Sequence, residues 1–435
     1  MATAFGAVQL RFMDQMARIA YLLFLYALSP VIFLYLWLRG YKDSAYRQRW
    51  AERLGFYTDA LDTHSLVIHC ASVGEVIAVS PLIKKLLNKF PNQRITLTCN
   101  TPTGSEQIRK SFGQSVQQIY LPLDFSGSVG RFLNKLKPTA LVIIETELWP
   151  NLIIKAKQQN IPVIVINARL SDKSLKGYQL IAPLSRAVMD AITVVASHSE
   201  ADALRFKQLG ISDGQCAVVG SIKFDIQLSA EVKNNAMTLL EQLKDYEFIW
   251  VAGSTHPSEH EQVIAAHQLL RTTVANSLLI IAPRHPEQFE QVALYLDQAN
   301  IPFARRSKNN LKDQPILLAD SMGEMLCLYA VANCAFIGGS LIERGGHNPV
   351  EAAALAKPVI TGPSYYNFMH VYPQLLETQG CVQIDSSATL CKQLQTYANS
   401  PQTAKLHGEN ALKLVKQSSG AIDRTIDILR PHLKK

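Results

Sequence analysis

The chain has 435 residues, with 43 Lys and Arg against 35 Asp and Glu. This length exceeds the size at which one core usually keeps growing and predicts two domains. The basic excess would suit nucleic acid, but there is no zinc-finger spacing, no basic helix and no aromatic RNA-binding motif, which favours an anionic membrane surface or an anionic substrate. The seven cysteines are scattered without any C-x-x-C pair, as is typical of reduced cytosolic thiols.

The N-terminal region contains a long apolar run. Residues 19–38 carry no charge and are long enough to cross a hydrocarbon layer of about 30 Å. A cleaved signal peptide is the alternative, but no small-x-small cleavage site follows. The basic excess of residues 39–53 predicts that the body of the chain lies in the cytoplasm. Pro30 leaves open a helix that lies flat in the interface. Residues 1–53 are therefore expected to be a membrane anchor with a basic juxtamembrane segment.

After the anchor, short β-branched runs alternate with helical patterns, which is typical of parallel sheets covered by crossover helices. The predicted strands are 66–69, 95–98, 119–121, 141–144, 163–166 and 192–195, then 248–252, 278–282, 316–318, 335–337 and 358–360. They predict an α/β fold of two doubly wound Rossmann-like domains facing a cleft, at 54–225 and 226–435. The final segment from Ala404 is expected to cross back to the first domain. Ligands in such sheets bind beyond the carboxyl ends of the strands.

Carboxylates follow two of the predicted strands in the first domain. Glu75 stands in A-S-V-G-E, at the start of a helix, where it would either complement the helix dipole or remove a proton from an acceptor hydroxyl. Glu145 and Glu147 are one residue apart, so a continuing strand would place them on opposite faces. We expect Glu145 to face the cleft and Glu147 to be structural or on the rim. The sequence contains no Asp-x-Asp motif, so a divalent metal ion is not indicated.

A Gly-rich turn precedes a helix in the second domain. Residues 338–346 hold four glycines, and Asn348-Pro349 then opens a helix that contains Glu351. Backbone N–H groups and the positive end of the helix are expected to bind phosphate, while Glu351 accepts hydrogen bonds from ribose hydroxyls. A plain strand-to-helix turn with Gly for close packing is the alternative.

Cations and a second Gly turn complete the predicted phosphate site. Arg284 ends a strand, Lys223 lies at the domain junction, and both would hold phosphate; each alone could equally be a surface charge. Met322-Gly323-Glu324 opens another helix and offers backbone N–H groups to a base or phosphate. Three histidines also follow strand ends, at positions 256, 285 and 347, but their spacing matches no zinc signature.

Seven motifs together resemble the Kdo (3-deoxy-D-manno-octulosonic acid) transferases of lipopolysaccharide assembly. They are ASVGE from residue 71, TPTGSE from 101, ETELWPN from 145, NARLSDKS from 167, GSIKFD from 220, APRHPE from 282 and GGSLIERGGHNPVEAA from 338. The resemblance covers nearly the whole chain, including the anchor. It implies a glycosyltransferase fold of the GT-B type, with an acceptor-binding domain before a donor-binding domain. It also implies inverting transfer of Kdo from CMP-Kdo to a lipid A precursor, lipid IVA, at the cytoplasmic side of the inner membrane.

The resemblance assigns roles to individual residues. Glu75 matches the family's proton acceptor, and Glu145 and Lys223 match residues that stabilise the transition state. Contacts to the CMP donor carry over to Pro283, Arg284, Met322, Gly323, Glu324, Asn348 and Glu351. No metal and no separate cofactor are implied, because CMP-Kdo is itself the donor substrate. The implied partners are that donor, the lipid A precursor and inner-membrane lipids, and not nucleic acid.

Two alternatives belong to other classes. A sugar-nucleotide epimerase would have the same paired domains but would need no membrane segment. A non-catalytic lipid-binding scaffold would also explain the anchor, but the intact carboxylates and phosphate-binding cations count against it.

Overall fold

Two parallel β-sheets of seven strands each, both covered by helices, form the body of the chain. The computed structural model describes residues 2–57, 60–226, 228–308 and 313–434. The chain divides into two units, which we call unit 1 (Met1–Ile222 with Gly420–Lys435) and unit 2 (Lys223–Ser419). The α/β class with two doubly wound sheets, predicted from the alternation of strand and helix patterns, is confirmed.

The elements follow one another along the chain in a regular alternation. The helices are α1 (Ala2–Lys42), α2 (Trp50–Arg53), α3 (Val73–Lys89), α4 (Pro102–Phe112), α5 (Ser126–Leu136), α6 (Pro150–Gln158), α7 (Asp172–Leu180), α8 (Ala182–Met189), α9 (Glu200–Gln208), α10 (Ala230–Gln242), α11 (His260–Arg271), α12 (Phe289–Gln298), α13 (Met325–Val331), α14 (Val350–Ala354), α15 (Tyr372–Glu377), α16 (Ser387–Asn399), α17 (Pro401–Ser418) and α18 (Ala421–Leu429). The strands are β1 (Leu66–His69), β2 (Ile95–Cys99), β3 (Gln117–Tyr120), β4 (Ala140–Ile144), β5 (Val163–Ala168), β6 (Val194–Ser197), β7 (Cys216–Val218), β8 (Phe248–Thr255), β9 (Ser277–Pro283), β10 (Phe303–Arg305), β11 (Ile316–Leu318), β12 (Cys334–Ile337), β13 (Val359–Thr361) and β14 (Cys381–Gln383).

The sheet of unit 1 has the order β3-β2-β1-β4-β5-β6-β7, and that of unit 2 has the order β10-β11-β9-β8-β12-β13-β14. In unit 1 the strand order reverses between β1 and β4, where His69 pairs with Ile143. In unit 2 it reverses between β8 and β12, where Gly253 pairs with Ile337. Ligands of doubly wound sheets bind where the order reverses, so the residues after these four strands are the first candidates for function.

Burial on both faces explains why most strands could be predicted. In β1, Leu66 and Ile68 pack into one core and Val67 into another, and all three are fully buried. Three further strands, β7, β10 and β14, were missed. Each has three residues, lies at an edge of its sheet and is only partly buried. An edge strand needs no continuous apolar run, so its sequence lacks the pattern on which the prediction depends.

The N-terminal helix is long and apolar, as the composition predicts. Among the described residues, Met13–Tyr41 is the one helical stretch long and apolar enough to cross a membrane, with a mean hydropathy of 2.2. Pro30 lies inside α1 without ending it. Leu23, Phe24 and Leu34 are exposed along its outer face.

The other face of α1 contacts the body of unit 1. The Tyr21 hydroxyl donates a 2.9 Å hydrogen bond to the buried Asp124 carboxylate. The rings of Tyr26 and Phe33 lie 5.2 and 6.2 Å from that of Phe125. The helix is therefore held along unit 1 by polar and aromatic contacts, while its outer face is left for an apolar environment.

The C-terminal segment returns to unit 1 later than Ala404. Helix α17 packs within unit 2, where a Cβ at Gly408 would lie 2.0 Å from the backbone oxygen of Ala356. Gly420, with φ of 90°, then turns the chain into α18. The buried Ile422, Ile426 and Leu429 of α18 pack into the core of unit 1, and Asp423 forms an exposed ion pair with Lys85 of α3 at 2.7 Å.

Candidate active site

Glu75 is held in place by the first turn of its own helix. Three residues separate the end of β1 from the start of α3, and the last of them, Ser72, is the N-cap of the helix. The Ser72 hydroxyl oxygen accepts from the Glu75 N–H at 3.4 Å, and the same hydroxyl donates to Glu75 Oε1 at 3.1 Å. The Ala71 N–H donates to Oε2 at 2.8 Å. This reciprocal capping fixes the rotamer of the carboxylate, so the capping and the catalytic interpretations of Glu75 are compatible.

The protonation behaviour of Glu75 suits acid–base chemistry. Burial is the main cause that raises its pKa to about 7, and the nearby Glu145 and Glu147 raise it further. The hydrogen bonds from Ala71 and Ser72 act in the opposite direction. A carboxylate with a pKa near 7 accepts protons much more readily than an ordinary Glu while still being half ionised at neutral pH.

Glu145 follows β4, the strand next to β1. Its N–H still donates to the Ile166 oxygen of β5 at 3.0 Å, but its φ of 58° turns the chain out of the strand. Non-Gly residues adopt this left-handed region at a cost, and such positions often occur at functional sites. The strand ends at Ile144, so the condition under which Glu145 and Glu147 would lie on opposite faces of a continuing strand is not met. Both carboxylates act on the pKa of Glu75, and burial and Glu145 raise the pKa of Glu147.

Three carboxylates therefore share the reversal point of the unit 1 sheet. Among the described residues, no group of three or more His, Cys, Asp or Glu side chains has an arrangement that could hold a metal ion.

Asn167, at the end of β5, was not singled out from the sequence although it begins the NARLSDKS motif. It is buried, has a φ of 49°, and its Oδ1 has no hydrogen-bond partner in the described part of the chain. It follows Ile166, the residue that accepts from Glu145. The signal available from sequence was a polar residue directly after a buried strand, since Asn tolerates the left-handed region better than most residues.

Arg284 and Glu351 come together in unit 2. Arg284 follows Pro283 at the end of β9, and its N–H donates to the Thr255 oxygen of β8 at 2.9 Å. Its guanidinium is exposed and close enough to Glu351 to act on that carboxyl. Burial raises the pKa of Glu351, and Arg284 lowers it. The predicted phosphate cation and ribose acceptor are therefore neighbours.

The Gly-rich turn after β12 has an internal anion. The Glu259 carboxylate, at the N-terminus of α11, accepts from the N–H groups of Gly339 at 2.8 Å, Ser340 at 3.1 Å and Leu341 at 3.0 Å. The expectation that the N–H groups of this turn bind a ligand phosphate is therefore wrong for these three residues. The turn does form a nest of donors, as its glycines indicate, but a side chain of the protein fills it.

The helix after this turn is short. Helix α14 has five residues, with Pro349 as its N-cap, and Asn348 Oδ1 accepts from the Val350 N–H at 3.1 Å. Its dipole is correspondingly small, so Arg284 is a stronger source of positive charge for an anion than the helix.

The loop before α13, which was predicted to offer backbone N–H donors, is also held by side-chain hydrogen bonds. Gly323 has a φ of 85°, which a residue with a side chain would rarely adopt. The Glu324 carboxylate accepts from Arg306 at 3.2 Å and from the Ser321 hydroxyl. Met322 is exposed beside them. The loop is thus held by the Glu324 side chain, with the Met322 side chain open to solvent.

Lys223 lies in a short 3-10 turn, Ile222–Phe224. Its ammonium group is 5.7 Å from the centre of the Phe368 ring, so both residues belong to the same part of unit 2.

The three histidines at strand ends form a cluster that sequence spacing did not predict. The His256 and His347 side chains are hydrogen-bonded through their Nε2 atoms at 2.8 Å, and the His285 ring lies 5.8 Å from that of His256.

Comparison with known proteins places the chain in a family. Residues 48–226 match the family model of the 3-deoxy-D-manno-octulosonic-acid transferases. A 3-deoxy-D-manno-octulosonic acid transferase of Haemophilus influenzae is 38% identical over 425 residues, which cover 97% of this chain and 100% of the relative. The enzyme of the same description from Bordetella pertussis is 31% identical over 434 residues, which cover 96% and 100%.

Solved structures share the fold. A UDP-N-acetylglucosamine 2-epimerase has a TM-score of 0.56 at 12% identity, covering 86% of this chain and 98% of its own. The glycotransferase of kitacinnamycin has a TM-score of 0.53 at 12% identity, covering 86% and 100%. These similarities show the GT-B-like fold alone, so an epimerase neighbour is no argument for epimerase activity. Since relatives matched along nearly their whole length reach 38% identity, the chain belongs to the 3-deoxy-D-manno-octulosonic acid (Kdo) transferases.

Proposed function

We propose that this protein transfers Kdo from CMP-Kdo to a hydroxyl of a lipid A precursor, lipid IVA, with inversion at the donor's anomeric carbon, in lipopolysaccharide biosynthesis. The observation that carries the proposal is the fixed, half-buried Glu75 carboxylate, whose pKa is raised to about 7. A base of this strength is matched to the removal of a proton from a hydroxyl at neutral pH.

Glu145 and Lys223 have complementary roles in this proposal. As the bond between the sugar and the phosphate breaks, positive charge develops on the sugar and negative charge on the leaving phosphate. The Glu145 carboxylate suits the first charge and the Lys223 ammonium suits the second. Glu75 accepts the proton that the attacking hydroxyl loses.

Unit 2 would bind the nucleotide. Arg284 offers a fork of donors to the phosphate, and Glu351 accepts from ribose hydroxyls. The remaining proposed contacts are made by Pro283, Met322, Gly323, Glu324 and Asn348. Because Glu324 is already paired with Arg306, we expect it to hold its loop against the nucleotide.

We further propose that the reaction needs no metal and takes place at the cytoplasmic side of the inner membrane, with α1 as the anchor. A single phosphate is the leaving group of a CMP donor, and side-chain cations can neutralise it. The exposed apolar face of α1 and the exposed Arg39 and Arg47 support contact with an anionic bilayer, whereas Arg53 is buried and donates to the Asn100 oxygen.

The test is a direct assay of transfer. The full-length protein is incubated with CMP-Kdo and a tetraacylated lipid A precursor, with and without EDTA, and the lipid is analysed by mass spectrometry. We expect the mass of the lipid to increase by one or more Kdo residues in both samples. An unchanged lipid would contradict the proposed acceptor, and a product that forms only after magnesium is added back would contradict metal independence.

A further inference from the structure

Two histidines of unit 2 form a close pair beside the proposed nucleotide site. The Nε2 atoms of His256 and His347 are 2.8 Å apart, and their rings are nearly parallel, with an interplanar angle of 15°. One nitrogen must donate and the other accept, so the pair in this state holds one proton between these two atoms.

The backbone around the pair keeps it in position. Gly339 has a φ of 70°, and a Cβ at this position would lie 3.2 Å from His347 Nε2, so the absence of a side chain leaves room for the imidazole. The Tyr372 hydroxyl donates to the His347 oxygen at 2.9 Å. The His256 N–H donates to Glu259, the same carboxylate that accepts from the Gly-rich turn. The Glu259 carboxylate therefore joins the backbone of His256 to the Gly-rich turn that precedes His347.

The charges that face the pair are mainly positive. Arg344 from the Gly-rich turn, His285 and Arg284 after β9, and His260 from α11 all act on His256. Two carboxyl groups are also nearby, and the first of them, Glu259, accepts hydrogen bonds from the backbone N–H groups of the Gly-rich turn.

Glu351 of α14, the other nearby carboxyl, lies close to Arg284. Burial and these cations lower the pKa of His256 to about 4, and burial and Arg284 lower that of His347 to about 4. Both rings are therefore neutral at neutral pH without a ligand.

We propose that His256 and His347 form the proton-binding part of an oxyanion subsite for the donor, in which a phosphate or carboxylate held by Arg284 and Arg344 causes the pair to take up a proton. The inference rests on the proposed function, because that function supplies the anionic sugar nucleotide. An anion offsets the positive charge of the two arginines, and the proton taken up, on a ring nitrogen that carried none, then becomes a hydrogen-bond donor to the same anion. Binding that takes up a proton strengthens as the pH falls.

The experiment measures proton uptake by the full-length protein. The heat of CMP binding is recorded at about pH 6 in two buffers of different ionisation enthalpy, which gives the number of protons taken up. The wild type is compared with His256→Gln and with His347→Gln, and thermal unfolding confirms that each variant is folded. His407→Gln is the matched control, because His407 belongs to unit 2 but contacts Tyr397 instead of the cluster. Protons released by CMP itself are common to all proteins and cancel in the comparison.

We expect the wild type and His407→Gln to take up a substantial fraction of one proton more than either cluster variant. Cytidine, which lacks the phosphate, should show no such difference. A difference with free Kdo instead of CMP would support the subsite and assign it to the sugar carboxylate. Equal proton uptake by all four proteins while CMP binds would overturn the histidine proposal alone. Absence of CMP binding to the wild type would overturn the proposed donor, and the subsite with it.

Discussion

The Glu259 carboxylate accepts a 2.8 Å hydrogen bond from the Gly339 N–H, although the two residues are 80 positions apart in the chain. The bond joins the start of α11 to the turn after β12, at the reversal point of the unit 2 sheet. A glycine turn that looks like a phosphate loop is thus stabilised from within the protein, and in our proposal Arg284 and Arg344 bind the anion of the donor.

Replacing Glu259 by Gln should therefore destabilise unit 2. The amide has one acceptor oxygen where the carboxylate has two, and one or more buried N–H groups lose their partner. We expect a loss of about 1–3 kcal/mol, measured by chemical unfolding. Glu261→Gln, at an exposed position of the same helix, is the control and should be near neutral. Unchanged stability of Glu259→Gln would mean that the turn does not depend on this carboxylate.

The local and the long-range parts of the site differ in how far sequence predicts them. The position of Glu75 could be predicted, because strand, turn and capping serine lie within a few residues of it. The occupation of the Gly-rich turn by Glu259 could not, because no local pattern links the two segments. The same holds for Tyr21 and Asp124, which are 103 positions apart.

Arg284→Ala and Glu351→Ala should each weaken CMP binding. The first loses a charged fork to phosphate and the second an acceptor for ribose hydroxyls, and charge-assisted hydrogen bonds of this kind contribute about 1.5–3 kcal/mol, or roughly 10- to 150-fold in Kd. Calorimetry with CMP measures the change. Lys405→Ala, which removes an exposed cation of unit 2, should bind CMP like the wild type. If both site variants keep the wild-type affinity, the nucleotide binds elsewhere.

The outer face of α1 should mediate membrane binding. Deleting the helix would uncover the contacts around Asp124, so we propose Leu23→Gln, Phe24→Gln and Leu34→Gln together, which change only exposed positions. Each apolar side chain that no longer enters the bilayer costs about 1.5–3 kcal/mol, so co-sedimentation with anionic vesicles should fall at least 100-fold. Met237→Gln with Leu240→Gln, two exposed apolar residues of α10, is the matched control. An equal loss in both proteins would point to general surface hydrophobicity and not to an anchor.

The rate of transfer should depend on pH through Glu75. Its pKa is raised to about 7, and the base must be ionised, so kcat/KM should be constant above that pH and fall about tenfold per pH unit below it. A Glu with an ordinary pKa would give no decline until about pH 4.3. A pH–rate profile at limiting acceptor measures this. A flat profile from pH 7 to 5 would be incompatible with a base of raised pKa.

Turnover and CMP affinity of Glu75→Gln test the central claim most directly. The amide keeps the size of the side chain and can still accept from Ala71, but it cannot accept the proton of the acceptor hydroxyl. We expect CMP to bind with wild-type affinity and transfer of Kdo to the lipid A precursor to fall about 10²- to 10⁴-fold, while Glu200→Gln, an exposed Glu of α9, remains fully active. Transfer within a few-fold of the wild-type rate in folded Glu75→Gln would contradict the assignment of Glu75 as the base.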